Sequence, residues 1–164
     1  MTANLARLRE GGSETDTLVL DDYLPYRLSV ASNAVSKLIA RAYEDRFGLS
    51  IPQWRLMAVL AEQPLTQQAI VARTAMDKVT VSRAARGLTT RHLVSRTAHA
   101  DDGRSHHLTL TLEGRRLHAE IAPLALAYEA ALLSGLAPAD VALMKRLLSR
   151  LEAAAARLSG EDGK

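Results

Sequence analysis

The 164-residue sequence contains no cysteine. Disulfide scaffolds, zinc–thiolate sites and thiol-based redox sensing are thereby excluded. Aromatic residues make up only 4% of the chain, with a single Trp and a single Phe, so stacked rings cannot dominate its interior. Long apolar runs are missing too. Each is short and broken by Arg or Glu, whereas a bilayer-crossing helix needs ~20 apolar residues in a row. Residues 1–20 lack the basic-then-apolar pattern of a secretory signal, and a cytoplasmic location is the default expectation. The chain has no phosphate loop, dinucleotide fingerprint or nucleophile elbow. Neither an enzyme nor a cofactor is expected.

Apolar residues form 48% of the sequence, enough for one domain core plus an oligomerisation element. Ala, Leu and Arg abound, and these side chains lose little rotamer freedom in a helix. The formal net charge of +3 is modest, but its distribution is uneven. Arg73, Lys78, Arg83, Arg86, Arg91, Arg96 and Arg104 crowd the middle of the chain, while the acids lie mainly toward the ends. Such a cluster is either a solvated face or the footprint of a polyanionic partner.

Residues 1–20 read as a flexible polar arm that Leu18, Val19 and Leu20 can dock onto the body. Asp21 or Asp22 caps a long helix with Pro25 in its first turn. Leu24, Leu28, Ala31, Val35, Leu38 and Ala42 recur along it at steps of four and three, ending near Phe47 and Gly48. At ~1.5 Å per residue such a helix is about 40 Å long, more than a small domain needs. Ser50 caps a second helix with Trp54, Met57, Leu60 and Ala61 inward. Thr66 caps a short third helix, with Ile70 and Val71 inward, and Asp77 caps a fourth that ends near Arg91. Alternating segments at Leu93–Ala98 and Ser105–Leu110 flank a turn-rich stretch, His99–Arg104, and read as a hairpin. Thr111 caps a long helix with Leu117, Ile121, Leu124, Tyr128 and Ala131 on one seam. Pro138 opens the last helix, with its seam at Val141, Met144, Leu148, Leu151, Ala155 and Leu158. The heptad-spaced stripes at the two ends are met either by a second copy of the chain or by each other within one bundle.

Helix, tight turn, helix and hairpin in this order make a winged helix-turn-helix. On a wheel of ~100° per residue, Val81, Ala84, Ala85 and Leu88 of the fourth helix face inward, and Val79, Arg83, Arg86 and Thr90 face out. Ser82 flanks that outer face on one side, Thr80 and Gly87 on the other, and Lys78 stands at the helix start. Arg, Ser and Thr are side chains that bond base edges, and Val79 can meet a thymine methyl. At the hairpin tip Arg104 is placed to reach a phosphate or the minor groove. Asp102 suits bracing that turn and orienting an Arg. The DNA-contacting candidates are therefore Lys78, Thr80, Ser82, Arg83, Arg86, Asp102 and Arg104. His99, His106 and His107 with Asp101 and Asp102 lack a familiar ligand spacing, and no metal site is expected.

Gln53-Trp54-Arg55-Leu56, Leu65-Thr66-Gln67-Gln68, Asp77-Lys78, Thr80-Val81-Ser82-Arg83, Asp102-x-Arg104 and Leu110-Thr111-x-x-Gly114 together resemble the multiple-antibiotic-resistance regulator (MarR) family, over about residues 22–158. The resemblance implies a homodimer binding a pseudo-palindromic operator in double-stranded DNA, and a repressor that acts by occluding polymerase. It also implies a small aromatic or anionic effector bound between the dimerisation and DNA-binding regions, near Tyr26, Arg27, Asn33, Trp54 and Arg55. Trp54 is more readily read as core. Two departures stand out: His92 where the family usually has Gly, and Gly87 where a bulkier residue is common. The expected fold is mainly α with a small β-hairpin wing, a winged helix-turn-helix plus a helical dimerisation region built from both termini. The expected boundaries are 1–20 for the arm, 21–48 and 112–158 for the dimerisation region, 50–111 for the DNA-binding domain and 159–164 for a tail. A DNA-binding dimer without an effector and a winged helix used for protein contacts are the competing readings.

Overall fold

A computed structural model of the chain describes residues 17–98 and 106–160. In chain order the elements are α1 (Leu24–Phe47), α2 (Ile51–Glu62), β1 (Leu65–Thr66), α3 (Gln67–Thr74), α4 (Lys78–Thr90), β2 (Val94–Ala98), β3 (His106–Leu110), α5 (Leu112–Leu133) and α6 (Pro138–Ser159). Leu28–Tyr128 forms one compact unit, and the segments flanking it in sequence form another.

Local chemistry sets most of the boundaries. Thr66 Oγ1 accepts from Ala69 N–H at 3.2 Å and opens α3, satisfying one of the amide groups that a helix start leaves without a partner. Gln53 Oε1 turns back to accept from Ser50 N–H at 2.9 Å and from Ser50 Oγ at 3.2 Å, holding the start of α2. Thr111 Oγ1 accepts from Gly114 N–H at 3.0 Å and donates to His92 carbonyl oxygen at 2.8 Å. That threonine both caps α5 and ties it to the exit of α4. Ala75 ends α3 with φ 52°, the turn between the two helices of the motif. At the start of α1 the expectation fails. Asp21 and Asp22 lie in a turn, with Asp22 N–H donating to Val19 carbonyl oxygen. The first helical bond runs instead from Arg27 N–H to Tyr23 carbonyl oxygen.

The core of the Leu28–Tyr128 unit gathers Leu56, Met57, Leu60, Ile70, Val81, Ala84, Ala85, Leu88, Leu93, Val94, Leu108 and Leu110, with Tyr43 and Leu49 from the end of α1 and Ile121 from α5. The inward face expected for α4 is buried residue for residue. The α2 stripe needs correction: Ala61 is exposed and Leu56 is buried. Leu56 lies about 40° from Leu60 on the wheel, and the buried face is rotated toward it. Leu18, Val19 and Leu20 are all exposed rather than docked.

The sheet has three strands in the order β1–β3–β2, all antiparallel. The hairpin pairs Val94 with Leu110 and Arg96 with Leu108. The two-residue β1 pairs Leu65 with Leu108 and was not foreseen. Two residues are too few for a periodicity, and their pairing is decided by the neighbouring strand. The ends of the long helices behave differently from the core. Along α1, Ile39, Tyr43 and Phe47 meet the core, while the heptad-spaced Leu24, Leu28, Ala31 and Leu38 remain exposed. In α6 no residue is buried. No single helix among the described residues is long and apolar enough to cross a membrane.

Candidate nucleic-acid interface

Helix α4 is held at both ends by hydrogen bonds that its sequence supplies. At the start, Asp77 Oδ1 accepts from Thr80 N–H at 2.8 Å, and Asp77 Oδ2 accepts from Thr80 Oγ1 at 2.6 Å. These bonds hold the Asp77 carboxyl below the usual carboxylate range, so it remains an ionised cap at neutral pH. At the finish, His92 N–H donates to Thr89 carbonyl oxygen at 3.0 Å and Leu93 N–H to Leu88 carbonyl oxygen at 2.9 Å. His92 has φ 57°. This is a Schellman exit, whose left-handed residue is usually Gly. His92, which stands where the family usually has Gly, thus adopts the left-handed conformation itself. The buried side chains of Leu88 and Leu93 supply the apolar contact that accompanies such an exit.

With its ends fixed and Val81, Ala84, Ala85 and Leu88 buried, α4 has one orientation available. Val79 is 58% exposed, and Arg83, Arg86 and Thr90 are exposed beside it. Lys78, Val79, Ser82, Arg83 and Arg86 line one surface depression of about 310 Å³. Among the described residues, neither Arg83 nor Arg86 is within salt-bridge distance of a carboxylate. Both guanidinium groups are thus available to an outside acceptor. Thr80 is different. Its hydroxyl hydrogen is committed to Asp77, leaving the oxygen lone pairs as its free capacity.

A second cleft of about 260 Å³ is lined by Gln67, Gln68, Val71 and Lys78. It joins the first turn of α3 to the start of α4. The two glutamines were not singled out from the sequence as contacts. The available signal was their position immediately after the capping Thr66, where free amides and a favourable helix dipole gather at one spot. Arg73, counted in the basic cluster, is paired with Glu62 at 2.6 Å and contributes less to the field than its charge suggests. Asp102 and Arg104 lie outside the described residues.

The five residues linked to an effector are dispersed in character. Tyr26, Arg27 and Asn33 are exposed on α1, and Arg55 is exposed on α2. Trp54 is half-buried. Its ring stacks on His118 with centroids 5.4 Å apart and tilts against Tyr43 at 5.2 Å. Burial pushes the His118 imidazole below its ordinary value and raises the Tyr43 phenol, with a smaller contribution from Tyr128. His118 had no spacing signal in the sequence. It reaches Trp54 only because α5 packs against the core.

The MarR family profile matches residues 47–105, which take in α2 to β2. No curated protein matches the chain in sequence. Among solved structures, a probable transcriptional regulator from Pseudomonas aeruginosa is 30% identical, with a TM-score of 0.71, over 81% of this chain and 99% of its own. A MarR/EmrR family transcriptional regulator from Acinetobacter sp. ADP1 superposes with a TM-score of 0.80 at 23% identity, over 85% of this chain and 99% of its own. BpsR from Bordetella bronchiseptica, whose DNA binding is regulated by 6-hydroxynicotinic acid, superposes with a TM-score of 0.77 at 24% identity, over 84% of this chain and 98% of its own. With the profile lying on the winged helix and the likeness extending through nearly the whole length of these regulators, the chain belongs to the MarR family of transcriptional regulators.

Proposed function

We propose that the chain acts as a homodimer that inserts α4 of each subunit into successive major grooves of a pseudo-palindromic operator and represses by occluding polymerase. The observation that carries this reading is the outward face of α4. Its two guanidinium groups, Arg83 and Arg86, which pair with no carboxylate among the described residues, stand beside the Ser82 hydroxyl and the Val79 methyls on one depression. Arg recognises guanine through two parallel hydrogen bonds, Ser bonds several bases, and Val suits a thymine methyl. Lys78, Gln67 and Gln68 line the adjoining cleft and are suited to phosphate oxygens, which fix register without reading sequence. Asp102 and Arg104 belong to the same proposal as the wing.

Dimerisation is supported by apolar side chains that the single chain leaves uncovered. On α6 these include Met144, Leu147, Leu148 and Leu151, and on α1 Leu24, Leu28 and Leu38. A row of exposed apolar side chains along a helix face is the kind of surface that association covers. A second copy also sets two α4 helices one DNA turn apart, ~34–36 Å. We assign release of DNA to a small aromatic or anionic effector, with Trp54 as an aromatic wall and Arg55, Arg27, Tyr26 and Asn33 as candidate polar contacts. BpsR, with its hydroxynicotinic acid, supports that class of compound. The test is selection of duplexes from a random pool by the purified chain, repeated with a panel of aromatic acids. The expected outcome is a two-fold-symmetric consensus that at least one acid abolishes. Absence of any preference among duplexes at moderate salt would reject the reading.

A further inference from the structure

We propose that Arg91 is a positioning residue for DNA recognition: its guanidinium fastens the end of α4 to the end of α1 and so fixes the pitch of α4 in the groove. The proposal rests on the DNA-binding reading above.

Arg91 follows the last turn of α4. Its Nη1 donates to Gly48 carbonyl oxygen at 2.8 Å and its Nη2 to Phe47 carbonyl oxygen at 3.0 Å. These carbonyls stand at the carboxyl end of α1, where a helix has acceptors without partners and a partial negative charge. A charged two-pronged donor is the side chain best matched to them. Lys carries the same charge on a single ammonium and lacks the planar fork. In sequence the contact spans more than forty residues, so it joins elements that the chain itself does not hold together.

A second fastening lies one turn earlier on the same face of α4. A side-chain carbon at Gly87 would come within 2.6 Å of Gln53 Nε2. The Gln53 amide therefore rests directly against the α4 backbone, while its oxygen holds Ser50. Positions 87 and 91 are four apart and share one side of the helix. The corner between α1 and α2 thus meets α4 at two points along its carboxyl half, through the Arg91 hydrogen bonds and the Gln53 contact. Gly87 is explained by this seat, since it leaves room for the amide. A helix held in this way cannot tilt in the groove unless the end of α1 moves with it.

The rival role for Arg91 is a plain phosphate contact, and the two differ in what they disturb. The experiment uses the full chain, with binding measured on its selected operator and on a scrambled duplex over a range of salt. The variants are Arg91→Lys, Arg91→Ala and Gly87→Ala, each compared at equal folded fraction by circular dichroism. Positioning predicts that both Arg91 variants lose about tenfold of the operator-to-scrambled preference, the equivalent of ~1.4 kcal/mol, and that Gly87→Ala loses less, because only the end of the Gln53 side chain must shift. It also predicts that the slope of log affinity against log salt on scrambled DNA stays as in the parent. The proposal is overturned if Arg91→Lys behaves as the parent while Arg91→Ala weakens both duplexes equally, with a slope shallower by ~0.9. It is overturned too if Arg91→Ala retains full preference. If the parent chain binds no duplex selectively, the DNA-binding reading fails and this one falls with it.

Discussion

Gly114 shows how a single position can carry a constraint on the whole winged helix. A side-chain carbon there would meet Leu93 carbonyl oxygen at 2.0 Å and Leu93 carbonyl carbon at 3.0 Å. Both are backbone atoms and cannot swing aside. Gly114→Ala should lower the urea midpoint by the equivalent of ~1–3 kcal/mol or more, the range for overpacking a well-filled site. His92 presents the opposite case. At φ 57° a residue with a side chain sits at a cost of ~1–2 kcal/mol relative to the right-handed region. His92→Gly relieves that cost and returns part of it as extra freedom of the unfolded chain. A gain of up to ~1 kcal/mol in denaturant unfolding is expected, and an unchanged or lower midpoint would mean that the imidazole itself contributes. His118 adds a pH dependence. Its folded pKa lies below the ordinary 6.5, so the unfolded chain binds a proton more readily than the folded one. Stability is unaffected by this group well above that value and falls as the pH drops from it toward the lower folded value. His118→Phe should keep the ring on Trp54 and flatten the loss of thermal midpoint as the pH falls below the ordinary 6.5, which thermal melts on both proteins would read.

At the level of elements, α4 and its flanking turns separate what the sequence made legible from what it did not. Arg83→Ala should lose ~1–3 kcal/mol of operator binding and relax base preference at one position per half-site. Equal losses on operator and random duplexes would deny Arg83 a reading role. The face of α4 was readable because a 3.6-residue period with apolar Val81, Ala84, Ala85 and Leu88 admits only one inward direction. The caps Thr66, Asp77 and Thr111 were readable because capping acts within four residues of sequence. What escaped was decided across the fold. Strand β1 exists because β3 offers it an edge. Leu56 rather than Ala61 is buried because α2 packs against α4 and β3. The Trp54–His118 stack and the Arg91 clasp join residues far apart in the chain. The reason for Gly87 appeared only with Gln53 lying beside it.

For the whole molecule, the governing property is apolar surface that one chain leaves uncovered. Removing residues 138–164 should give monomers in sedimentation that bind DNA weakly, and persistence of dimers would place the association surface elsewhere. Helix α6 buries none of its own residues, so its apolar row would find cover only in company. In the proposed dimer, the ordering of α6 and association become a single equilibrium that depends on how much chain is present. Below the dissociation constant, dimer abundance varies with the square of chain concentration. A cell that modestly lowers its supply of this regulator would therefore vacate operators disproportionately, a threshold response that requires no cooperativity between binding sites.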